Sequence, residues 1–305
     1  MKITTTKNLP LGVALLAAFA LLSFSTTSVR YYGEGYTGDN MKSFKNGHAK
    51  VYTLQEGYSK IGHSVWMNRG SKRMSAAYFS AGDVYGNHKK WSKGKEVFLT
   101  CSGAFSDDLD KTDGALPVGI NIENGYAKNR KVKKDGMDAL VIVYATGGIV
   151  VSDLTKGDLH LQSLGKKLNI RESTTDKYDF LEWAKDEKAT VFQTQLLAYK
   201  NQLKIDSRGR KNKRERRFLA LATTNTGTLY HIVFDLPEGA YLYDGAQKVL
   251  AHLNDQNMDV TALLNLDTGA YNVLEVNTGD DSLDSELEGE TSISRAVNLL
   301  SYHYN

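Results

Sequence analysis

The apolar run Ala262-Leu263-Leu264-Asn265-Leu266 stops at Asp267, and the small-residue turn Thr268-Gly269-Ala270 follows before Tyr271. The pattern is that of a buried strand delivering one carboxylate to the rim of a sheet. Glycine and small residues there let a ligand come close to the backbone. Asp and Gly also make good turns in their own right, so the same pattern fits a plain strand end.

Other segments supply the sheet this strand needs. Ala49–Leu54 alternates apolar and polar residues, and Ser75–Phe79 and Val97–Cys101 are short and mostly apolar. Ala139–Tyr144 is rich in β-branched residues and lacks breakers. Gly147-Gly148 then turns into Ile149-Val150-Val151, which reads as a hairpin. Phe218–Thr223 and Leu229–Phe234 read as strands joined at Asn225-Thr226-Gly227, while Val191–Tyr199 is ambiguous. Helical spacing appears in Lys177–Lys188, through Phe180, Leu181 and Ala184. It recurs in Tyr243–Asn254, through Ala246, Val249, Leu250 and Leu253. The segment Arg30–Asn40 is rich in Tyr and Gly and reads as an irregular lead-in. The expected fold is α+β: a strand-rich mixed sheet with a few packed helices. With no internal repeat or low-complexity linker, residues 29–305 are expected to form a single domain.

The first 28 residues read as a signal peptide. Lys2 and Lys7 give a positive start, Leu11–Phe24 is uncharged and apolar, and Ser23-Phe24-Ser25 or Thr26-Thr27-Ser28 offers small residues for cleavage. The apolar stretch is short for a bilayer span; an uncleaved anchor is the competing reading. Secretion or a periplasmic location is the expectation, with no stable membrane span after cleavage. Removing Lys2 and Lys7 lowers the formal charge from +3 to 3 − 2 = +1. That balance argues against nucleic acid as a partner. Cys101 is the single cysteine, so no intrachain disulfide can form and burial must hold the fold.

Taken in order, several segments resemble the phosphodiester glycosidase family, to which the lysosomal uncovering enzyme belongs. Cys101-Ser102-Gly103-Ala104-Phe105 stands where the family has an Asn-Gly-Gly-Phe-Phe-like turn. Pro117-Val118-Gly119-Ile120 and Glu123-Asn124-Gly125 follow, matching a Pro-x-Gly strand and its Gly turn. Gln195-Leu196-Leu197 and Arg217-Phe218-Leu219-Ala220-Leu221 match a Leu-Leu strand and an Arg before a strand-turn-strand, here closed by Gly227-Thr228-Leu229-Tyr230. Asn265-Leu266-Asp267-Thr268-Gly269-Ala270-Tyr271 matches an Asn-Leu-Asp-Gly-Gly-Gly-Ser-like motif, and Arg295-Ala296-Val297-Asn298 an Arg-Pro-Val-x-Asn-like final strand. The resemblance spans residues 95–305. Two departures stand out: Cys101 replaces an Asn, and the turn after Asp267 keeps one glycine and gains Tyr271.

The resemblance implies a hydrolase that cleaves a sugar-1-phosphodiester in envelope or extracellular glycans; no cofactor is expected, and no metal-ligating residues stand out in the sequence. Cleavage develops positive charge on the sugar and releases a phosphate, so a carboxylate and cationic clamps are wanted. Asp267 would be the carboxylate, and Arg217 and Arg295 the phosphate clamps. Asn265 and Asn298 would orient hydroxyls or carboxylate oxygens, and Gly269, Cys101 and Gly103 would line the substrate. Each arginine can also be read as a surface residue at a strand end, and Asn265 as a turn cap. The two departures open the alternative of a catalytically degenerate member of the same fold that binds a glycan or envelope component.

Cys101 ends an apolar strand, where an inert buried thiol is the usual state; nucleophilic use would need a base such as His160 or His231. The run Arg208–Arg217 could grip a polyanion but reads first as a solvated loop between strands. The acidic loop Asp107–Gly114 misses the EF-hand spacing, and Asp280–Glu290 reads as a solvated acidic turn. There is no zinc spacing of His and Cys and no nucleotide-binding loop.

Overall fold

The computed structural model describes residues 33–70, 73–107, 115–209 and 212–305. The signal-peptide segment and most of the Asp107–Gly114 loop lie outside the described residues.

In chain order the first strands are β1 (Thr37–Phe44), β2 (Ala49–Glu56), β3 (Ser59–Asn68), β4 (Met74–Phe79) and β5 (Val97–Cys101). Then come β6 (Asn121–Glu123), β7 (Tyr126–Asn129), β8 (Ala139–Val143), β9 (Ile149–Asp153), β10 (Leu159–Leu161) and β11 (Lys166–Leu168). The rest are β12 (Thr190–Tyr199), β13 (Gln202–Leu203), β14 (Arg214–Thr224), β15 (Leu229–Ala240), β16 (Met258–Leu266), β17 (Leu274–Val276) and β18 (Leu299–Tyr304). The α-helices are α1 (Val84–Ser92), α2 (Thr174–Asp186), α3 (Leu242–Asp255) and α4 (Asp281–Glu286).

The main sheet runs β1-β2-β3-β15-β14-β16-β12-β6-β7, and β12 also carries β8 and β13. A smaller sheet runs β17-β5-β18-β4. The chain therefore adopts the expected strand-rich α+β class, with one refinement. Where a mixed sheet was expected, each of these ladders is antiparallel. The reason lies in the connections: tight turns such as Thr224–Thr228 return the chain alongside itself, and parallel pairing would need long crossovers.

Alternation along each strand divides the core in two. Leu219, Leu221, Val233, Leu264 and Leu266 face the small sheet, where they meet Leu99, Cys101, Leu274 and Leu300. Phe218, Ala220, Ile232, Phe234 and Leu263 face the other way and bury α3 through Ala246, Val249, Leu250 and Leu253. The α3 stripe is the one its helical spacing predicts. A third cluster packs α2, through Phe180, Trp183 and Ala184, on β8 and the start of β12.

Several expectations change. Val191–Tyr199 is a strand, since it pairs with β16 on one side and with β6 and β8 on the other. The lead-in is regular from Thr37, where β1 pairs with β2. The acidic turn contains α4, because the Asp280 side chain accepts from the Leu283 N–H and caps it. Helix α1 is weakly amphipathic; its sequence signal is Asp83, whose side chain accepts from Gly86 N–H at 2.8 Å. The basic run is not all solvated loop. Strand β14 begins at Arg214, and by Arg217 the chain is fully buried.

Candidate active site

Strand β16 is paired on both edges, with β12 and β14, and both of its faces are covered, which explains why Ala262–Leu266 is apolar but for Asn265. The β14 ladder reaches Arg217 opposite Leu266, and Asp267 is the next residue. The residue is 6% exposed, and its carboxylate accepts the Gly269 N–H at 2.9 Å. Burial pushes the Asp267 carboxyl up, against the opposing pull of the Gly269 and Ser106 backbone N–H groups and the Arg217 charge.

Asn298 is buried and ties down the loop that follows β5. Its Oδ1 accepts the N–H groups of Gly103 and Ala104, at 2.9 and 2.8 Å, and its Nδ2 donates to the Ala104 carbonyl. The loop in turn meets the Asp267 strand end, where the Gly103 carbonyl accepts the Asp267 N–H at 3.4 Å. A Cβ on Gly103 would lie 3.0 Å from the Tyr78 ring and 3.3 Å from Asn298 Oδ1, so glycine is needed here for close packing. Ser102 bridges to the turn beyond Asp267: its hydroxyl donates to the Tyr271 carbonyl and accepts the Val273 N–H.

Arg217 sits beneath this turn. Its Nη1 donates to the Val273 carbonyl at 2.9 Å, while Nε and Nη2 both donate to Asp235 Oδ1. The reading of Arg217 as a surface residue at a strand end is therefore overturned, because β14 is an interior strand with neighbours on both edges. As a phosphate clamp its guanidinium would first have to leave Asp235. Cys101 is also fully buried, between β17 and β18, and burial pushes its thiol up to about 12. A thiol in that position cannot line a substrate or act as a nucleophile.

Asn265 donates to Gln195 Oε1 at 2.6 Å and lies within the sheet, so it is not a turn cap. Gly269 is exposed in the turn. Arg295 is also exposed, on the short 3-10 turn Ile293–Arg295. The segment leading to it crosses the Asp267 turn, where Thr291 donates to the Asn272 and Ala270 carbonyls. Asp267, Arg217, Asn298, Gly103 and Gly269 thus meet in one cluster; Cys101 and Asn265 lie in the sheets behind it, and Arg295 stands outside on an adjoining segment.

Sequence reasoning missed Glu215, Asp235 and Asn272. Glu215 accepts Asn272 Nδ2 at 2.7 Å, and its carbonyl accepts the Thr268 hydroxyl at 3.0 Å. Its half-buried carboxyl is pushed up, chiefly by burial and also by the nearby acids Asp235 and Glu290, while Asn272 and Arg217 pull it down. The available signals were the lone acid within a basic run and, for Asp235, an acid inside the apolar stretch Ile232–Leu236. Among the described residues, three buried polar atoms around the cluster have no hydrogen-bond partner: Ser106 Oγ, Asn265 Oδ1 and Asn272 Oδ1. Orphaned buried acceptors and donors are costly and concentrate where a ligand or solvent completes them.

No protein-family profile matches the chain, and no curated protein sequence does. Solved structures do. A hypothetical protein from Synechocystis is 10% identical with a TM-score of 0.41, covering 89% of this chain and 62% of that one. The catalytic domain of zebrafish N-acetylglucosamine-1-phosphodiester alpha-N-acetylglucosaminidase, auto-inhibited by its pro-peptide, is 13% identical with a TM-score of 0.43; coverage is 91% and 86%. A proposed exported protein of Burkholderia pseudomallei is 10% identical with a TM-score of 0.38, with coverage of 83% and 74%. The chain spans less than two thirds of the Synechocystis protein's length. These likenesses concern the fold. No helix among the described residues is long and apolar enough to cross a membrane.

Proposed function

We propose that the protein is an exported hydrolase that cleaves a sugar-1-phosphodiester, with Asp267 and Glu215 as its working carboxyls. The observation that carries this reading is their placement. Both occupy the same end of neighbouring antiparallel strands, are raised by burial, and are joined through Thr268 and Asn272. Two carboxyls with perturbed proton affinity at one strand end suit glycoside-type chemistry. In this reading Asp267 faces the positive charge that develops on the sugar. Glu215, half-exposed, takes a proton from the attacking water. Arg295 is the clamp left free to meet the phosphate, and Arg217 is a positioning residue that holds the Asp267 turn through Val273.

A second reading, a non-catalytic member of the same fold that binds a glycan, is favoured by one observation: the buried Arg217 guanidinium is closed off by Asp235 and Val273. The test is hydrolysis of a panel of sugar-1-phosphodiesters by the purified protein, beside Asp267→Ala and Glu215→Gln. Turnover that falls about 100-fold or more in both variants is the expected result. Absence of turnover by the folded protein, together with retention on an immobilised glycan, would replace the hydrolase reading with the binding one.

A further inference from the structure

The smaller sheet has an open edge. Strand β4 ends it, paired with β18 on one side and with no strand on the other. Along an antiparallel strand, alternate residues turn their N–H and C=O groups to opposite sides. The Ala76 N–H donates to the Gly147 carbonyl at 3.1 Å, away from β18. Met74 and Tyr78, two residues to either side, therefore point their backbone groups outward as well.

The protein itself closes both ends of this edge. The Met74 carbonyl accepts from Arg69 Nη1, and the Ser80 N–H donates to Glu123 Oε2. Between them, the Ala76 C=O and the N–H and C=O of Tyr78 face no strand. Ala76 and Tyr78 border a cavity of about 340 Å³, and none of its lining residues belongs to the Asp267 cluster. Backbone polar groups away from bulk water need partners, and an unpaired edge is a template for another chain.

Two aromatic rings stand in the walls, Trp91 near the end of α1 and Tyr144 just after β8. Trp91 is held edge-on by Phe79 and His303, at 5.2 and 5.3 Å between ring centres. The Lys95 ammonium lies 5.5 Å from the Trp91 ring centre, and among the described residues no carboxylate pairs with it. Lys89, Lys90 and Lys93 add exposed cations at the same end of α1, and Glu96 is taken by Lys45 at 2.8 Å. On the opposite side the Glu187 charge acts on Tyr144, so the two walls differ in sign. A metal ion would be repelled by the lysines. A simple anion would leave the edge groups and the rings without partners. An extended peptide meets all three features: its backbone pairs with the edge, its apolar side chains pack on the rings, and an acid faces the lysines.

We propose that this slot takes up an extended acidic segment of a partner protein as an added antiparallel strand on β4. One residue of the segment exchanges N–H and C=O with Tyr78, the residue two further on donates its N–H to the Ala76 carbonyl, and an acidic side chain lies against Lys95. The site is independent of the hydrolase reading.

Selection of phage-displayed random short peptides on the full chain tests this. The expected result is enrichment of acidic sequences rich in strand-forming residues, with one-to-one binding of the synthetic peptides. Lys95→Glu should weaken them about tenfold or more, and exchanging the peptide's acid for lysine should restore binding to that variant. N-methylation along the peptide should weaken binding about tenfold or more at alternate amides, those that meet the edge. Ala145→Trp, on an exposed turn at the border of the cavity, fills the slot and should abolish binding. Both variants change exposed residues, so their thermal unfolding should match the wild type. Three results would overturn the proposal: no enrichment over the Ala145→Trp protein, equal binding by Lys95→Glu, or an N-methyl scan without alternation. Rejection of every peptide, with retention on an immobilised acidic glycan that Ala145→Trp loses, would overturn it in favour of a sugar.

Discussion

Arg217 and Asp235 face each other across β14 and β15, and two guanidinium nitrogens, Nε and Nη2, donate to the same carboxylate oxygen at 3.0 and 2.8 Å. Both side chains are buried, so neither charge can be repaid by solvent. The third contact, from Nη1 to the Val273 carbonyl, carries the pair's rigidity to the turn that holds Asp267.

Breaking this pair from one side should be expensive. Asp235→Asn leaves the arginine uncompensated, and a loss of about 3–5 kcal/mol of stability is expected in urea unfolding. The joint change Arg217→Met with Asp235→Leu should cost less than Asp235→Asn alone. Equal or greater loss in the double variant would contradict a desolvated ion pair.

Asn298 serves three backbone groups of the Gly103–Ala104 loop. Asn298→Ala orphans them in a buried setting, at about 1–3 kcal/mol for each group left unsatisfied. Asn298→Asp keeps the acceptor and loses the donor, so its stability should fall between the wild type and the alanine variant. Thermal unfolding of the three proteins orders them.

The pH dependence follows from the raised carboxyls. Asp267 and Glu215 have folded-state pKa values above their unfolded ones, so the folded state binds more protons across the carboxylate range. Their contribution is therefore most favourable below the unfolded values and declines as pH rises through the folded ones. Asp267→Asn and Glu215→Gln should each flatten this decline, with the variants gaining on the wild type towards neutral pH. Unfolding measured from acid to neutral pH checks the sign; a wild type that gains on the variants as pH rises would reverse it.

The Cys101 thiol should resist alkylation. Its exposure is nil and its proton is held up to about 12, so iodoacetamide at mildly alkaline pH should label the native protein only as fast as it unfolds. Labelling in denaturant should be prompt. Mass spectrometry distinguishes this from a reactive cysteine, which would be modified in the folded state within the mixing time.

Gly62 packs β3 against the strand that carries Asp235. Its φ is +154°, and an added Cβ would fall 2.0 Å from the Asp235 carbonyl oxygen. Gly62→Ala should therefore cost about 1–3 kcal/mol by forcing β3 from β15. It should also lower any Asp267-dependent turnover, since β15 holds the partner of Arg217.

The strands were readable where burial on two faces made them continuously apolar, as in Ala139–Val143 and Ala262–Leu264, and helix α3 where the apolar stripe was wide. Strand β3 carries Gly, His and Ser among its apolar residues and gave no such signal, and α1 had only its Asp83 cap. The Asp267 motif and its neighbours in the chain were legible as a group because their order is carried by the sequence itself. Which of them face solvent was not. Arg217 and Arg295 have the same side chain and the same expected role, but one lies on an interior strand and the other on an exposed turn.

The sequence by itself determined the α+β class, the strand that leads into Asp267, and the lack of any intrachain disulfide, since these depend on local periodicity and on residue identity. Only the tertiary structure decided that Arg217 is spent on Asp235 and that Glu215 shares the strand end with Asp267. Those pairings depend on the register of strands distant in sequence, and register is fixed by packing two faces of a sheet at once, which no single segment encodes.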